Sequence, residues 1–125
     1  MIIKESAENY LESILMISKE KGNVRSIDIA NQLNFSKPSV SVAMKHFREE
    51  GYIHVDKDGY ITLTDKGYEV ASQMYERHQL VAKILMEIGV SEKTAYEDSC
   101  KIEHDLSSET FEKIKEYYLK KLKKD

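Results

Sequence analysis

The stretch that decides the fold is Ser26–Leu63, which reads SIDIANQLNFSKPSVSVAMKHFREEGYIHVDKDGYITL. Apolar residues at helical spacing predict one helix over residues 26–33 and another over 37–50. Asn34-Phe35-Ser36 predicts a short turn between them. Pro38 fits the first turn of the second helix, because the early amides of a helix have no partner within it.

Two short runs after this helix pair are typical of strands. They cover residues 52–55 and 60–63, and Asp56-Lys57-Asp58-Gly59 lies between them. The Asp-Gly pair in that connection predicts a tight hairpin. Helix, short turn, helix and hairpin is the order of a winged helix-turn-helix, in which the second helix can enter the major groove of DNA.

The rest of the chain is predicted to be helical, which makes the protein mainly α. Four further helices are expected: one over 6–20 with Ser6 as its cap, one from Thr64 or Asp65 to about Ile88, one opened by Ser91 and broken near Ser107-Ser108, and one from Glu109 onward. The N-terminal winged helix-turn-helix is therefore followed by an α-helical domain.

The bulk composition is that of a soluble globular protein. Of 125 residues, 41% are hydrophobic and 33% are charged, and there is one cysteine. We find no apolar run near the roughly 20 residues of a membrane span and no signal-peptide pattern, so we expect a cytoplasmic protein without membrane contact. The net charge of −3 is not that of a non-specific nucleic-acid binder, so any DNA contact must use a local basic patch.

The start of the second helix carries the candidate DNA-binding residues. Small hydroxyl groups there can bond phosphates or bases, and lysines can contact the backbone. The predicted set, including one lysine at the hairpin tip, is Ser36, Lys37, Pro38, Ser39, Ser41, Lys45 and Lys57. The alternative interpretations are helix capping for the serines and a solvated face for the lysines. Winged helices also serve as protein–protein modules.

A second group of polar residues lies late in the chain. Cys100, Glu103 and His104 are spaced i, i+3 and i+4, which places a thiol, a carboxylate and an imidazole on one stripe of a helix. That donor set suits a borderline transition metal better than Ca²⁺ or Mg²⁺, which prefer oxygen alone. The alternative is ordinary helix-surface chemistry, since a lone Glu–His pair is commonly a helical ion pair.

Five motifs in order give the chain a clear resemblance over nearly its whole length. They are Ala7-Glu8-Asn9-Tyr10-Leu11-Glu12, Ser36-Lys37-Pro38-Ser39-Val40-Ser41, Leu63-Thr64-Asp65-Lys66-Gly67, Arg77-His78 and Ile102-Glu103-His104-Asp105-Leu106-Ser107. With them the chain resembles the DtxR/MntR family of metal-dependent transcriptional repressors, in its short two-domain form.

The resemblance implies a function for each half of the chain. Residues 1–72 would be the winged helix-turn-helix DNA-binding domain, and residues 73–125 the helical metal-binding and dimerisation domain. It implies a homodimer that binds a palindromic operator in double-stranded DNA, uses Fe(II) or Mn(II) as corepressor and controls metal-uptake genes. Carried over by position, the metal ligands would be Asn9, Glu12, His78, Cys100, Glu103 and His104.

The ligand set implied by the resemblance is a hybrid of the two types found in the family. Glu12 is the choice of manganese members, whereas Cys100 is the choice of iron members. Asn9 offers only a neutral amide oxygen, where manganese members have aspartate and iron members methionine. Ala82 and Tyr96 stand where iron members place the carboxylate and histidine of an ancillary site.

Two other readings remain open from the residues alone. One is a winged-helix regulator that responds to another signal, such as oxidation at Cys100. The other is a winged helix used for protein assembly. An enzyme is not expected, because no nucleophile motif, glycine-rich phosphate loop or cofactor fingerprint accompanies Glu103 and His104.

Overall fold

A computed structural model describes residues 5–124 of the chain. Within them it has a mainly α architecture, as predicted, with one small sheet. The elements in order are α1 (Glu5–Lys21), α2 (Ser26–Leu33), α3 (Lys37–Glu49), β1 (Ile53–Val55), β2 (Ile61–Leu63), α4 (Asp65–Glu87), α5 (Glu92–Asp105) and α6 (Ser108–Lys124). Ser6 lies inside α1 rather than capping it, which differs from the prediction.

The chain divides into two compact units, Met1–Tyr75 and Glu76–Asp125. Helix α4 contributes its first half to the first unit and the remainder to the second. The functional boundary predicted between residues 72 and 73 stays a prediction. None of the helices in the described part of the chain has the length and apolar character to cross a membrane.

The predicted turn between α2 and α3 is set by two polar residues. Asn34 ends α2 in the left-handed conformation, with φ 58°, and its N–H donates to the carbonyl of Ala30. Asparagine is one of the few non-glycine residues that tolerates this region. Ser36 then caps α3, because its Oγ accepts from the amide of Ser39 at 3.3 Å.

The hairpin forms with the predicted strands, paired antiparallel so that Ile53 faces Leu63 and Val55 faces Ile61. Its connection is a three-residue loop closed by an Asp56 N–H to Tyr60 carbonyl bond of 3.0 Å. The Asp56 carboxylate also accepts from the amide of Tyr60 at 2.9 Å, and Gly59 has φ 85°. This is a turn completed by one left-handed residue, so the glycine closes the loop.

The first turn of α4 is fastened to the base of this hairpin. Thr64, one of the two predicted caps, accepts from the amide of Gly67 at 3.2 Å and donates to the Gly51 carbonyl at 2.6 Å. The Tyr52 carbonyl accepts from the Thr64 amide at 3.1 Å. A Cβ at position 67 would lie 2.0 Å from that Tyr52 oxygen, so only glycine permits this approach.

One hydrophobic core holds the first unit together and orients α3. Its members come from α1, α2, α3, both strands and the start of α4. The largest of its side chains at or near zero exposure are Leu11, Ile14, Val24, Ile29, Val40 and Ile53. Because Val40 and its neighbours at helical spacing face this core, the opposite side of α3 is left to solvent.

The second unit consists of the end of α4 with α5 and α6. Helix α5 ends without a glycine, since its C-cap Leu106 is extended. Ser107 then caps α6 by accepting from the amide of Thr110 at 3.1 Å. Phe111 is buried, at 4% exposure, one turn into α6.

Candidate metal centre and DNA-binding surface

Within the second unit, α4 and α5 bring four of the six predicted metal donors together. Cys100, Glu103 and His104 lie on one stripe of α5, and His78 reaches them from α4. The Cys100 Sγ lies 3.4 Å from His78 Nε2. One Glu103 oxygen lies 3.9 Å from His78 Nδ1, and the other lies 3.6 Å from His104 Nε2.

These distances and the burial of the group fit a bound transition metal. Bonds of about 2.0–2.3 Å to nitrogen, oxygen and sulfur hold neighbouring donors roughly 3–3.7 Å apart. Glu103 has 0% exposure and His78 5%, whereas Cys100 is exposed. A fully buried carboxylate is costly unless a cation or hydrogen-bond donors compensate it. A buried acid beside two imidazoles and a thiol is therefore a group that a divalent cation can stabilise.

Asn9 and Glu12, the other two predicted ligands, belong to the first unit. They lie three residues apart on α1 and so share one edge of that helix. Glu12 is buried, at 4% exposure, and Asn9 is half-buried. Their part in metal binding stays a prediction.

One residue of this region was not predicted as functional. Arg77, immediately before His78, donates from Nη1 to the backbone carbonyls of Glu103 at 3.2 Å and Leu106 at 3.1 Å. The sequence placed it in the Arg77-His78 motif beside a candidate ligand, but gave it no role of its own. Nothing in the residue pattern tells which carbonyls a side chain from α4 will reach, since that depends on tertiary packing.

The predicted DNA-binding residues lie on the exposed side of α3 and at the hairpin tip. All seven, Ser36, Lys37, Pro38, Ser39, Ser41, Lys45 and Lys57, are exposed. Lys37, Ser41, Lys45 and Arg48 follow one another at helical spacing along the exposed edge of α3, next to the buried side that carries Val40 and Met44. This forms a stripe with three cationic side chains on a protein of net negative charge.

The serines at the start of α3 already have partners within the protein. The Ser36 hydroxyl donates to Ser39 Oγ at 2.8 Å and also caps the helix. The capping interpretation is therefore realised for Ser36. A contact between either hydroxyl and DNA stays a prediction, as do the contacts of the other five residues.

Comparison with known proteins is decisive for the family. Sequence models of the iron-dependent repressor match the chain twice: the N-terminal DNA-binding domain over residues 3–61, and the metal-binding and dimerisation domain over residues 64–125. An uncharacterized HTH-type transcriptional regulator of Methanocaldococcus jannaschii is 36% identical over 115 residues, which is 90% of this chain and 92% of that protein. The chain belongs to the DtxR/MntR family of metal-dependent transcriptional repressors.

Two further members of the DtxR/MntR family support this assignment. The transcriptional regulator MntR of Lysinibacillus sphaericus is 34% identical over 109 residues, covering 87% of this chain and 78% of MntR. The solved structure of the manganese regulator SloR matches with a TM-score of 0.76 and 27% identity, covering 94% of this chain. The chain spans about half of SloR, since the match covers 54% of that protein.

Membership of the DtxR/MntR family decides between the interpretations that the residues left open. The chain is a metal-dependent repressor that binds DNA, forms a homodimer and uses a divalent metal of the Fe(II)/Mn(II) class. It is not an enzyme. Signalling by oxidation alone and a role in protein assembly are correspondingly disfavoured.

Proposed function

We propose that this protein represses metal-uptake genes in the cytoplasm, and that its metal ligands are Asn9, Glu12, His78, Cys100, Glu103 and His104. Residues 1–72 would read the operator, and residues 73–125 would hold the metal and the dimer. The observation that carries the proposal is that His78, Cys100 and His104 lie around the buried carboxylate of Glu103.

The ligand set offers a physical route from metal binding to DNA binding. Three ligand-bearing helices, α1, α4 and α5, come from both units of the chain. A bound divalent ion would neutralise the buried carboxylate and tie these helices together, which couples binding to conformation. If Glu12 binds the same ion as the donors of the second unit, the orientation of each DNA-binding domain within the dimer would be restricted.

The chemistry of the donors favours Fe(II) over Mn(II) as the natural corepressor. A thiolate such as Cys100 is a soft ligand, and manganese prefers carboxylate and water. Glu12 adds a hard oxygen, so the set would still accept manganese at higher concentration. By intrinsic affinity alone Zn(II) and Co(II) would also bind well, which makes Co(II) a useful spectroscopic probe.

The side chains at the two ancillary positions do not favour a second site of the iron-repressor type. Ala82 has no donor atom and is fully buried. The Tyr96 hydroxyl donates to Gln79 Oε1 at 3.2 Å, and the Tyr96 ring packs edge-on against His78 with centroids 5.4 Å apart. We therefore propose that Tyr96 supports His78 rather than binding an ion of its own.

The proposed DNA contact uses the exposed stripe of α3. Lys37 and Lys45 would neutralise phosphates, and Ser41 would face the groove between them. A two-fold dimer presents such helices to successive major grooves roughly 34 Å apart, which requires a palindromic operator. Lys57 at the hairpin tip would contact the flanking backbone.

A Co(II) titration followed by absorbance tests the metal site directly. Because Cys100 is the one cysteine in the sequence, a thiolate-to-cobalt band in the near ultraviolet can come only from this residue. We expect a saturable band in the wild type that disappears in Cys100→Ser. Binding to operator DNA should then require Fe(II) or Mn(II) in the wild type.

Histidine variants provide the matched control. His78→Ala should weaken cobalt binding, whereas His54→Ala, which removes an exposed imidazole on β1, should leave the titration unchanged. Equal cobalt binding by wild type and His78→Ala, or no saturable band at all, would refute the proposed site.

A further inference from the structure

The guanidinium of Arg77 joins three helices of the second unit at one point. From α4 it donates to the carbonyls of Glu103 and Leu106 at the end of α5, and its Nη2 lies 3.4 Å from Ser108 Oγ at the start of α6. Its Cζ lies 5.0 Å from the centroid of the buried Phe111 ring, a cation–π contact.

These contacts provide hydrogen-bond donors at the end of α5, where backbone carbonyls lack partners within the helix. The last four carbonyls of a helix have no partner within it, and a glycine in the left-handed conformation usually provides one. Here Leu106 is extended instead, so the chain leaves the helix without that closure. Arg77 supplies a donor to one of these carbonyls, that of Glu103, and to the carbonyl of Leu106 that follows the helix, and its positive charge opposes the negative end of the helix dipole.

The carbonyl that Arg77 holds belongs to a metal donor, and Arg77 itself precedes another. Glu103 is gripped through its backbone while its carboxylate lies between His78 and His104. A guanidinium presents several N–H groups in a fixed plane. Its bonds to two carbonyls therefore fix the position and the orientation of the end of α5 relative to α4. The position of His78 relative to Glu103 is therefore fixed by a bond from the residue next to His78 to the backbone of Glu103 itself.

We propose that Arg77 is a positioning residue for the metal centre, which it serves by fixing the end of α5 against α4 without binding the ion. This inference rests on the proposed metal function. Groups that orient metal ligands without touching the ion typically contribute 10–100-fold to affinity. We expect a loss of cobalt affinity of about that size when the donors of Arg77 are removed.

The test compares four proteins in the same Co(II) titration: wild type, Arg77→Met, Arg77→Lys and Ser107→Ala. Methionine keeps an unbranched stem but donates no hydrogen bonds. Lysine keeps the charge and can bond one or two of the three acceptors. Ser107→Ala removes the cap of α6, so it loosens the same α5–α6 turn without touching the Glu103 carbonyl.

We expect Arg77→Met to bind cobalt about 10–100-fold more weakly, with a changed visible band because the coordination geometry is relaxed. Arg77→Lys should restore part of the affinity. Urea unfolding of the metal-free proteins measures how far each change simply destabilises the fold. Ser107→Ala should bind like the wild type even where its stability loss matches that of Arg77→Met.

The remaining outcomes refute distinct claims. Wild-type affinity and spectrum in Arg77→Met would overturn the positioning role while leaving the metal site intact. Equal weakening by Ser107→Ala and Arg77→Met at equal stability loss would reduce Arg77 to a general structural role, which also overturns it. No saturable binding by the wild type would refute the metal function itself, and the positioning role with it.

Discussion

Gly67→Ala is the substitution for which the structure gives the sharpest expected cost. An added Cβ would lie 2.0 Å from the Tyr52 carbonyl oxygen and 3.0 Å from its carbon. Ordinary contacts begin more than 1 Å beyond the first of these distances, so backbone on one side or the other must move. Both groups are backbone atoms, and neither can swing away as a flexible side chain would.

The neighbouring hydrogen bonds make that movement expensive. The Tyr52 oxygen is held by the Thr64 amide at 3.1 Å, and Thr64 in turn holds the Gly67 amide and the Gly51 carbonyl. Lys66 adds a bond of 3.1 Å to the Glu50 carbonyl and lies over the Tyr52 ring. Moving the first turn of α4 by an ångström therefore weakens several bonds of the same junction.

The magnitude follows from three terms. Overpacking costs about 1–3 kcal/mol, and each weakened hydrogen bond adds up to about 1 kcal/mol. Alanine recovers roughly 1 kcal/mol through its higher helix propensity. We expect a net loss of about 2 kcal/mol, which corresponds to a fall in melting temperature of roughly 8 °C at about 4 °C per kcal/mol.

Urea unfolding followed by circular dichroism at fixed protein concentration measures the loss, because a dimer's stability depends on concentration. Gly59→Ala is the matched control, since its added Cβ meets nothing within 4 Å and only the left-handed backbone is strained. That variant should lose about 1 kcal/mol. If Gly67→Ala proved as stable as the wild type, the close approach of Tyr52 and α4 would be wrong.

Three further predictions concern the surface, the metal centre and pH. Lys45→Ala should weaken DNA binding to a similar degree on all sequences and lower the salt dependence by about one unit, with cobalt affinity unchanged; unaltered DNA binding in a salt series would remove Lys45 from the interface. His104→Ala should keep the metal-free melting curve but lose the upward shift that added Mn(II) gives the wild type, a linkage effect; a full shift in the variant would exclude His104 as a ligand. Hydrogen bonds from the Lys21 ammonium and the Arg25 amide lower the pKa of Asp28. The Asp28 carboxylate therefore stabilises the fold at pH values above its unfolded pKa of about 3.9, and this stabilisation is lost as the pH falls through the lowered pKa of the folded state. The difference in urea midpoint between wild type and Asp28→Asn should therefore shrink below about pH 4, and a constant difference would contradict the assignment.

Local sequence signals predicted most of the secondary structure because their physical causes are themselves local. Ser36 caps α3 through an amide three residues away, and Asn34 adopts a left-handed conformation that its own side chain tolerates. The loop of the hairpin was predicted less well. Its three-residue form depends on the Asp56 carboxylate, which accepts from the amides of Asp58 and Tyr60, and the Asp-Gly pair alone does not reveal these bonds.

For the candidate metal centre, too, the sequence predicts one part and not the other. The stripe of Cys100, Glu103 and His104 follows from helical periodicity, so the sequence alone could propose it. That His78 approaches this stripe from α4 was inferred from resemblance to a family and not from spacing. Helical periodicity carries no information about which face of one helix meets another 22 residues away.

By itself, then, the sequence determined the helices and the winged arrangement and proposed the candidate donor groups, because turns, caps and periodic apolar faces act within a few residues. Only the tertiary structure decided that Glu103 is fully buried between two imidazoles and that Tyr52 meets α4 where a Cβ cannot fit. It alone revealed that Arg77 donates hydrogen bonds to the end of α5. Each of these depends on packing between distant segments, where burial and close approach are set by the whole fold.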